Sequence, residues 1–101
     1  MASAPIRRFI VTGDSMLPTY ANGDLVFALR SDKAREGQIR VVEHPHRSGM
    51  WLVKRVASVR DDGHMWIESD NAEVTRADSR ELGHLAPAGG YRVIGRLRAR
   101  R

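Results

Sequence analysis

One serine and one lysine have surroundings that suit chemistry. Ser15 lies in the segment GDSMLPTY, residues 13–20, where Gly, Asp, Ser and Pro favour a turn. Two large apolar residues, Met16 and Leu17, follow the serine, and we expect them to anchor the turn in a core and hold Ser15 rigidly. An ordinary turn with two buried side chains is the simpler interpretation of these eight residues alone.

The lysine lies in WLVKRVASV, residues 51–59, which has the character of a strand. Alternate strand side chains share a face, so Lys54 shares one with Leu52 and Val56. Apolar neighbours disfavour the ammonium form and lower the pKa of a lysine, which suits a general base near neutral pH. Fifteen arginines stand against only two lysines in the chain, and arginine could not act as a base. A lysine whose amine reaches solvent from a half-buried strand is the alternative.

Together the two residues suggest nucleophilic catalysis. A serine hydroxyl needs a base to take its proton, and a neutral lysine can be that base. We therefore expect Ser15 Oγ and Lys54 Nζ within roughly 2.6 to 3.5 Å of each other. A Ser-His-Asp triad stays open, although the four scattered histidines favour no particular partner. His44-Pro45-His46 offers too few ligands for a metal site, so we expect no metal and no cofactor.

Short apolar runs separated by turn signals predict the strands that must position these residues. We expect Asp62-Gly63 to form a hairpin turn, and a helical turn near Ala34 or Asp78. The segment 69–90 is predicted to be a long functional loop. The fold class is mostly β, a curled sheet or partly open barrel, with strands over residues 6–11, 25–29, 38–42, 51–59, 65–68 and 91–97.

Length and composition are those of one globular domain over residues 1–101, with tails at 1–5 and 98–101. No apolar run approaches the roughly 20 residues of a membrane span, so we expect no membrane anchor. The absence of cysteine fits a reducing compartment, which favours a cytoplasmic location. The net charge of +5 would suit a basic β-barrel module that binds nucleic acid, but the scattered aromatic residues form no stacking surface. We therefore expect no nucleic-acid partner.

Three separated motifs carry a family resemblance. GDSMLPTYANGDLV, LVKRV, and then SDN and ADSRELG resemble the signal peptidase I (S26) family of Ser-Lys proteases over residues 11–85. The resemblance implies a compact β-sheet protease domain with Ser15 as nucleophile and Lys54 as general base. It also implies a structural ion-pair cluster beneath the site, formed by Arg55, Asp78 and Arg80.

Three departures from that family pattern bear on the site. Some members carry a serine hydroxyl as oxyanion donor where this chain has Gly13, so the resemblance leaves backbone N–H groups, chiefly that of Ser15, for this role. The family's GDN is SDN at residues 69–71. The following loop is one residue longer than usual, so the resemblance places the residue that orients the lysine at Thr75 or Arg76, and we expect Thr75 because only it has a hydroxyl.

In size and in lacking an anchor, the chain is similar to the nickel-type superoxide dismutase maturation proteases. That resemblance implies a precursor protein as partner, a nickel superoxide dismutase whose short leader is removed to free the nickel-binding N terminus. A self-cleaving repressor with a Ser-Lys dyad is the alternative within enzymes. It would need its own cleavage segment before Ser15, where this sequence has 14 residues, and ADSRELG fits the peptidase family better.

Overall fold

The computed structural model describes residues 5–74 and 77–100. Six strands and one short helix follow one another along the chain: β1 Ile6–Ile10, β2 Leu25–Arg30, β3 Ile39–Glu43, β4 Trp51–Val59, β5 Met65–Glu68, α1 Ser79–Leu82 and β6 Tyr91–Leu97. Every strand end lies within one residue of its prediction, because the apolar runs and the turn residues between them agree. The mostly β fold is confirmed.

All six strands form one antiparallel sheet in the order β1-β2-β6-β3-β4-β5. The rings of Phe9 on β1, Trp51 on β4 and Tyr91 on β6 have centroids 5.4 to 5.9 Å apart. Three strands lie between β1 and β4 in the sheet, so this contact requires the sheet to curl with these rings on its concave face. The predicted curled sheet is confirmed, with β1 and β5 as its two edges.

Each face of the sheet carries its own core. The concave core also holds the turn after β1, because Met16 is buried in it, as the sequence predicts. On the convex face, the core of β3, β4 and β5 lies under the segment that follows β5, which packs Ala77, Leu82 and Leu85 against it. The buried residues of the convex core are Val42, Leu52, Val56, Met65 and Ile67.

The covering segment is anchored by α1, the helical turn predicted near Asp78. Asp78 is its N-cap, and its Oδ1 accepts a hydrogen bond from the Arg80 N–H at 3.0 Å. Ser79 Oγ, at the first helical position, accepts a hydrogen bond from the Ile67 N–H at 2.8 Å and so joins the helix to β5. These contacts fix the segment beside the strand that carries Lys54.

Candidate active site

Ser15 and Lys54 line one cavity of about 260 Å³. The turn after β1, residues 10–16, forms one wall, and the first half of β4 with Met50 forms the other. Val74 and Ala77 from the covering segment complete the lining. A larger cavity of about 400 Å³, beside His44 and Pro87, includes neither residue. The cavity that both Ser15 and Lys54 line is therefore the candidate site, although it is the smaller of the two.

Lys54 is nearly inaccessible, with 3% of its surface exposed between buried Leu52 and Val56. Burial lowers the pKa of the Lys54 amine, and the negative charge of Asp78 acts in the opposite direction. The predicted apolar environment of this lysine is confirmed. The expected distance between Ser15 Oγ and Lys54 Nζ stays a prediction.

Among the described residues, a hydroxyl that sequence reasoning missed contacts the lysine. Lys54 Nζ lies 2.8 Å from Ser69 Oγ. The antiparallel register pairs Arg55 with Glu68, so the next residues on the two strands, Lys54 and Ser69, come side by side. Thr75, the residue expected for this role, lies outside the described residues. The available signal was the SDN motif, which has a hydroxyl where the family pattern has glycine.

The turn that carries Ser15, residues 13–20, is held from the side by the SDN segment. The Asn71 N–H donates to the Ser15 carbonyl at 2.9 Å, and Asn71 Nδ2 donates to the Asp14 carbonyl at 3.0 Å. Thr19 Oγ1 donates to Asp70 Oδ2 at 2.5 Å, and the Asp70 N–H lies 3.4 Å from Met16 Sδ. The turn is thus fixed by Met16 below and by residues 70–71 beside it.

Gly13 stabilises the turn and does not present a free N–H to the cavity. Its N–H donates to Asn22 Oδ1 at 2.8 Å, so this group is already used, and its φ of +80° suits glycine. Within residues 5–74 and 77–100, the N–H groups of Ser15 and Met16 donate no hydrogen bond. These two neighbouring N–H groups of the turn are therefore available as hydrogen-bond donors.

The predicted ion-pair cluster is divided between the two faces of the sheet. Arg55 forms a bidentate pair with Asp70, with Nε–Oδ1 2.7 Å and Nη2–Oδ2 2.9 Å. Asp78 belongs to the covering segment, where it is buried, and its Oδ2 is 4.0 Å from Arg80 Nε. The reason is strand alternation: Arg55 lies on the concave face and Lys54 on the convex face, where Asp78 is buried. Among the described residues, Asp70 is the carboxylate that pairs with Arg55.

The Arg55–Asp70 pair also changes the titration of its acid. Burial raises the pKa of Asp70, but hydrogen bonds from Arg55 and Thr19 outweigh it and bring the pKa below its usual value. The pKa of Arg55 is raised by the same bond. Asp70 is therefore a charged anchor between the nucleophile turn and β4.

Residues 5–97 match the sequence profile of the family described as Peptidase S24-like. The chain belongs to the S24-like peptidases. The matched range includes both walls of the cavity and the SDN segment. The S24-like chain is thus a serine peptidase-like protein. A search of curated proteins found no match.

Among residues 5–74 and 77–100, no helix has both the length and the apolar character of a membrane span. The same residues bring together no group of three or more His, Cys, Asp or Glu side chains suited to a metal ion.

Proposed function

We propose that this S24-like peptidase is a Ser-Lys endopeptidase with Ser15 as nucleophile and Lys54 as general base. The observation that carries the proposal is the buried lysine in the cavity that Ser15 lines. Its pKa is lowered by burial, so a larger share of the amine is neutral near pH 7 than in an exposed lysine. A neutral amine can accept a proton from a serine hydroxyl.

The reaction follows from these groups. Ser15 Oγ attacks the carbonyl carbon of the scissile peptide bond, and Lys54 Nζ takes the hydroxyl proton. The oxyanion accepts hydrogen bonds from backbone N–H groups of the turn. The carbon–nitrogen bond then breaks as Lys54 returns the proton to the leaving amine, and Ser15 is left as an ester. A water molecule, deprotonated by Lys54, attacks the ester carbonyl carbon; the carbon–Oγ bond breaks, Lys54 returns the proton to Ser15 Oγ, and the acid product leaves.

The two walls of the cavity suit an extended peptide. In the described pairing, β1 is an edge strand, and β5 pairs with β4 only from Arg55 onward. Residues 51–54 therefore pair with β3 alone and leave their other side towards the cavity. An extended substrate segment can add to such an edge through main-chain hydrogen bonds.

The substrate we propose is an N-terminal leader, cut from a nickel superoxide dismutase precursor in the cytoplasm. Support comes from the resemblance of the GDSM, LVKRV and SDN motifs to signal peptidase I and from the similarity to the small maturation proteases. Removal of the leader would free the residues that bind nickel in that precursor. The metal would belong to the substrate protein and not to the protease.

A second candidate is self-cleavage, as in repressors with a Ser-Lys dyad. The S24-like family assignment supports it as much as the first candidate, because it does not separate repressor-like chains from leader peptidases. In that case the bond cut would lie in the same polypeptide as Ser15. Dilution separates the two, since self-cleavage within one molecule has a rate independent of protein concentration.

The test is cleavage of a nickel superoxide dismutase precursor, followed by mass spectrometry to locate the cut. We expect no cleavage by Ser15→Ala, Lys54→Met or Lys54→Arg, because an arginine cannot give up its proton. The matched controls are Ser58→Ala and Lys33→Met, since both residues are exposed and Lys33 is the other lysine. Cleavage that survives in Ser15→Ala would refute the mechanism, and cleavage only of the protein's own chain would favour the second candidate.

A further inference from the structure

The SDN segment, Ser69–Asp70–Asn71, contacts both members of the proposed dyad. Ser69 contacts Lys54, and Asn71 contacts the turn that carries Ser15. We propose that Ser69 and Asn71 are positioning residues, Ser69 for the base and Asn71 for the oxyanion donors. This inference rests on the proposed function.

Ser69 acts on the lysine through one short contact. A lysine has four rotatable side-chain bonds, so its amine needs a partner to keep one orientation. An N–H of Lys54 directed at Ser69 Oγ, 2.8 Å away, orients the amine, and an oriented amine can present its nitrogen lone pair to the serine proton. The contact is built into the sheet, because the β4–β5 register brings residue 69 beside residue 54.

Asn71 acts on the turn through two consecutive peptide groups. A trans peptide is planar, and its C=O and N–H point in opposite directions. The bond from Asn71 Nδ2 to the Asp14 carbonyl therefore directs the Ser15 N–H away from Asn71. The bond from the Asn71 N–H to the Ser15 carbonyl directs the Met16 N–H away in the same manner.

The result is a pair of preset donors on one turn. Both N–H groups donate no hydrogen bond within residues 5–74 and 77–100. Donors that are already oriented need no rearrangement when negative charge develops on a carbonyl oxygen. The Met16 N–H is thus the second oxyanion donor, the one that the family resemblance left unassigned.

Asp70 makes the two contacts parts of one rigid unit. Its carboxylate is held by Arg55 from β4 and by Thr19 from the end of the nucleophile turn. A segment fixed at its middle residue transmits little motion between Ser69 on one side and Asn71 on the other. The base and the oxyanion donors therefore keep a constant separation.

Kinetics with a fluorogenic peptide that spans the leader junction of a nickel superoxide dismutase precursor tests both roles. For Ser69→Ala we expect kcat to fall about 10- to 100-fold with KM nearly unchanged, because the base is misplaced and not lost. The low-pH limb of the kcat profile should also move to lower pH, since the ammonium loses an acceptor. Ser69→Thr should restore both, because it keeps the hydroxyl.

For Asn71→Ala we expect a similar fall in kcat with the low-pH limb unmoved, because the lysine contact is intact. Ser58→Ala is the matched control for an exposed serine on β4. NMR titration of the Lys54 methylene signals gives a readout that needs no substrate, and with two lysines in the chain the assignment is simple. The pKa of Lys54 should fall in Ser69→Ala and stay constant in Asn71→Ala.

The outcomes separate this inference from the proposed function. If Ser69→Ala and Asn71→Ala keep wild-type kcat while Ser15→Ala is inactive, the positioning roles are wrong and the dyad stands. An unchanged pKa of Lys54 in Ser69→Ala, or a Ser69→Thr variant no better than alanine, also refutes the role of Ser69. If Ser15→Ala cleaves as well as wild type, the proposed function itself is wrong.

Discussion

The convex face of the sheet has two halves that differ in what covers them. The covered half, on β3, β4 and β5, lies under the segment after β5, and its Ile67 is fully buried. The open half, on β1, β2 and β6, has no such cover among the described residues. There Ile6 and Leu97 are 51% and 60% exposed. Both halves belong to one continuous sheet, so the difference lies in the cover and not in the strands.

The same contrast applies to the cations of this face. Lys54 in the covered half is buried and has a lowered pKa, whereas Arg8 and Arg92 in the open half are exposed. Each of these residues occupies a strand position that points to the convex face. A strand position alone therefore does not make a base. The covering segment removes water from the lysine and supplies Ser69 beside it.

The largest expected effect is a loss of stability, seen when one isoleucine in each half is replaced by alanine and the two variants are compared. Ile67→Ala should lower the free energy of unfolding by about 2–5 kcal/mol, because it leaves a cavity under the cover. Ile6→Ala should change it by no more than about 0.5 kcal/mol, because half of the side chain is already in water. Urea unfolding of both variants measures the difference. Equal losses in the two variants would show that the open half is also buried in solution.

The anchor of the SDN segment should have the next largest effect. Asp70→Asn removes the charge that pairs with Arg55, and we expect a loss of about 1 kcal/mol at pH 7, since Arg55 is 39% exposed. The pKa of Asp70 is lowered in the folded state, so this stabilisation is present above the unfolded value near 3.9. It disappears as pH falls through the folded value.

Unfolding free energies of Asp70→Asn and wild type, measured from acidic to neutral pH, check this. The two curves should converge in acid and separate towards neutrality. A constant gap between them would mean that the asparagine acts through packing and not through charge.

The third prediction concerns the cost of burying Lys54. The unfolded chain holds this proton more tightly than the folded protein, so the residue opposes folding fully below its folded pKa. The penalty declines as pH rises from there to the unfolded value near 10.4. Lys54→Met should therefore be at least as stable as wild type at pH 7, and its advantage should shrink at alkaline pH.

The control for Lys54→Met lies in the open half. Arg8→Met changes an exposed cation, so its effect on the melting temperature should be small and nearly independent of pH. A Lys54→Met protein clearly less stable than wild type at pH 7 would show that the charged lysine is well paired in the fold.

The sequence predicts the features of this protein that depend on residues close together in the chain. The strands are local features, set by apolar alternation and by turns such as Asp62-Gly63, and their positions were predicted within one residue. The apolar environment of Lys54 is also local, because it follows from alternation with Leu52 and Val56. The burial of Met16 followed from its place in a turn that needs an anchor.

The partners of the site residues depend on register, which is not local. A bulge between Val56 and Ser58 shifts the β4–β5 pairing by one residue, and so decides that Ser69 lies beside Lys54. Counting back from the hairpin turn without that bulge would place the wrong residue there. The Arg55–Asp70 pair was missed for a related reason, since the ion-pair cluster was carried over from a family pattern.

The smallest expected effect tests whether the cover influences Lys54 by charge as well as by burial. Asp78 is fully buried and raises the pKa of Lys54 against the effect of burial. Asp78→Asn keeps a good helix N-cap, so stability should change by no more than about 0.5 kcal/mol. It removes the negative charge, so the pKa of Lys54 should fall further.

The consequence of Asp78→Asn is a shift in the pH profile of activity. A lower pKa leaves more neutral amine in acid, so the low-pH limb of the cleavage profile should move to lower pH. Below that limb the variant should be faster than wild type, and above it the two rates should be similar. Asp78→Ala also loses the charge but removes the cap, at a cost of about 1 kcal/mol, which separates charge from capping. A low-pH limb that stays in place in Asp78→Asn would mean that Asp78 only caps α1, and that burial alone distinguishes Lys54 from the cations of the open half.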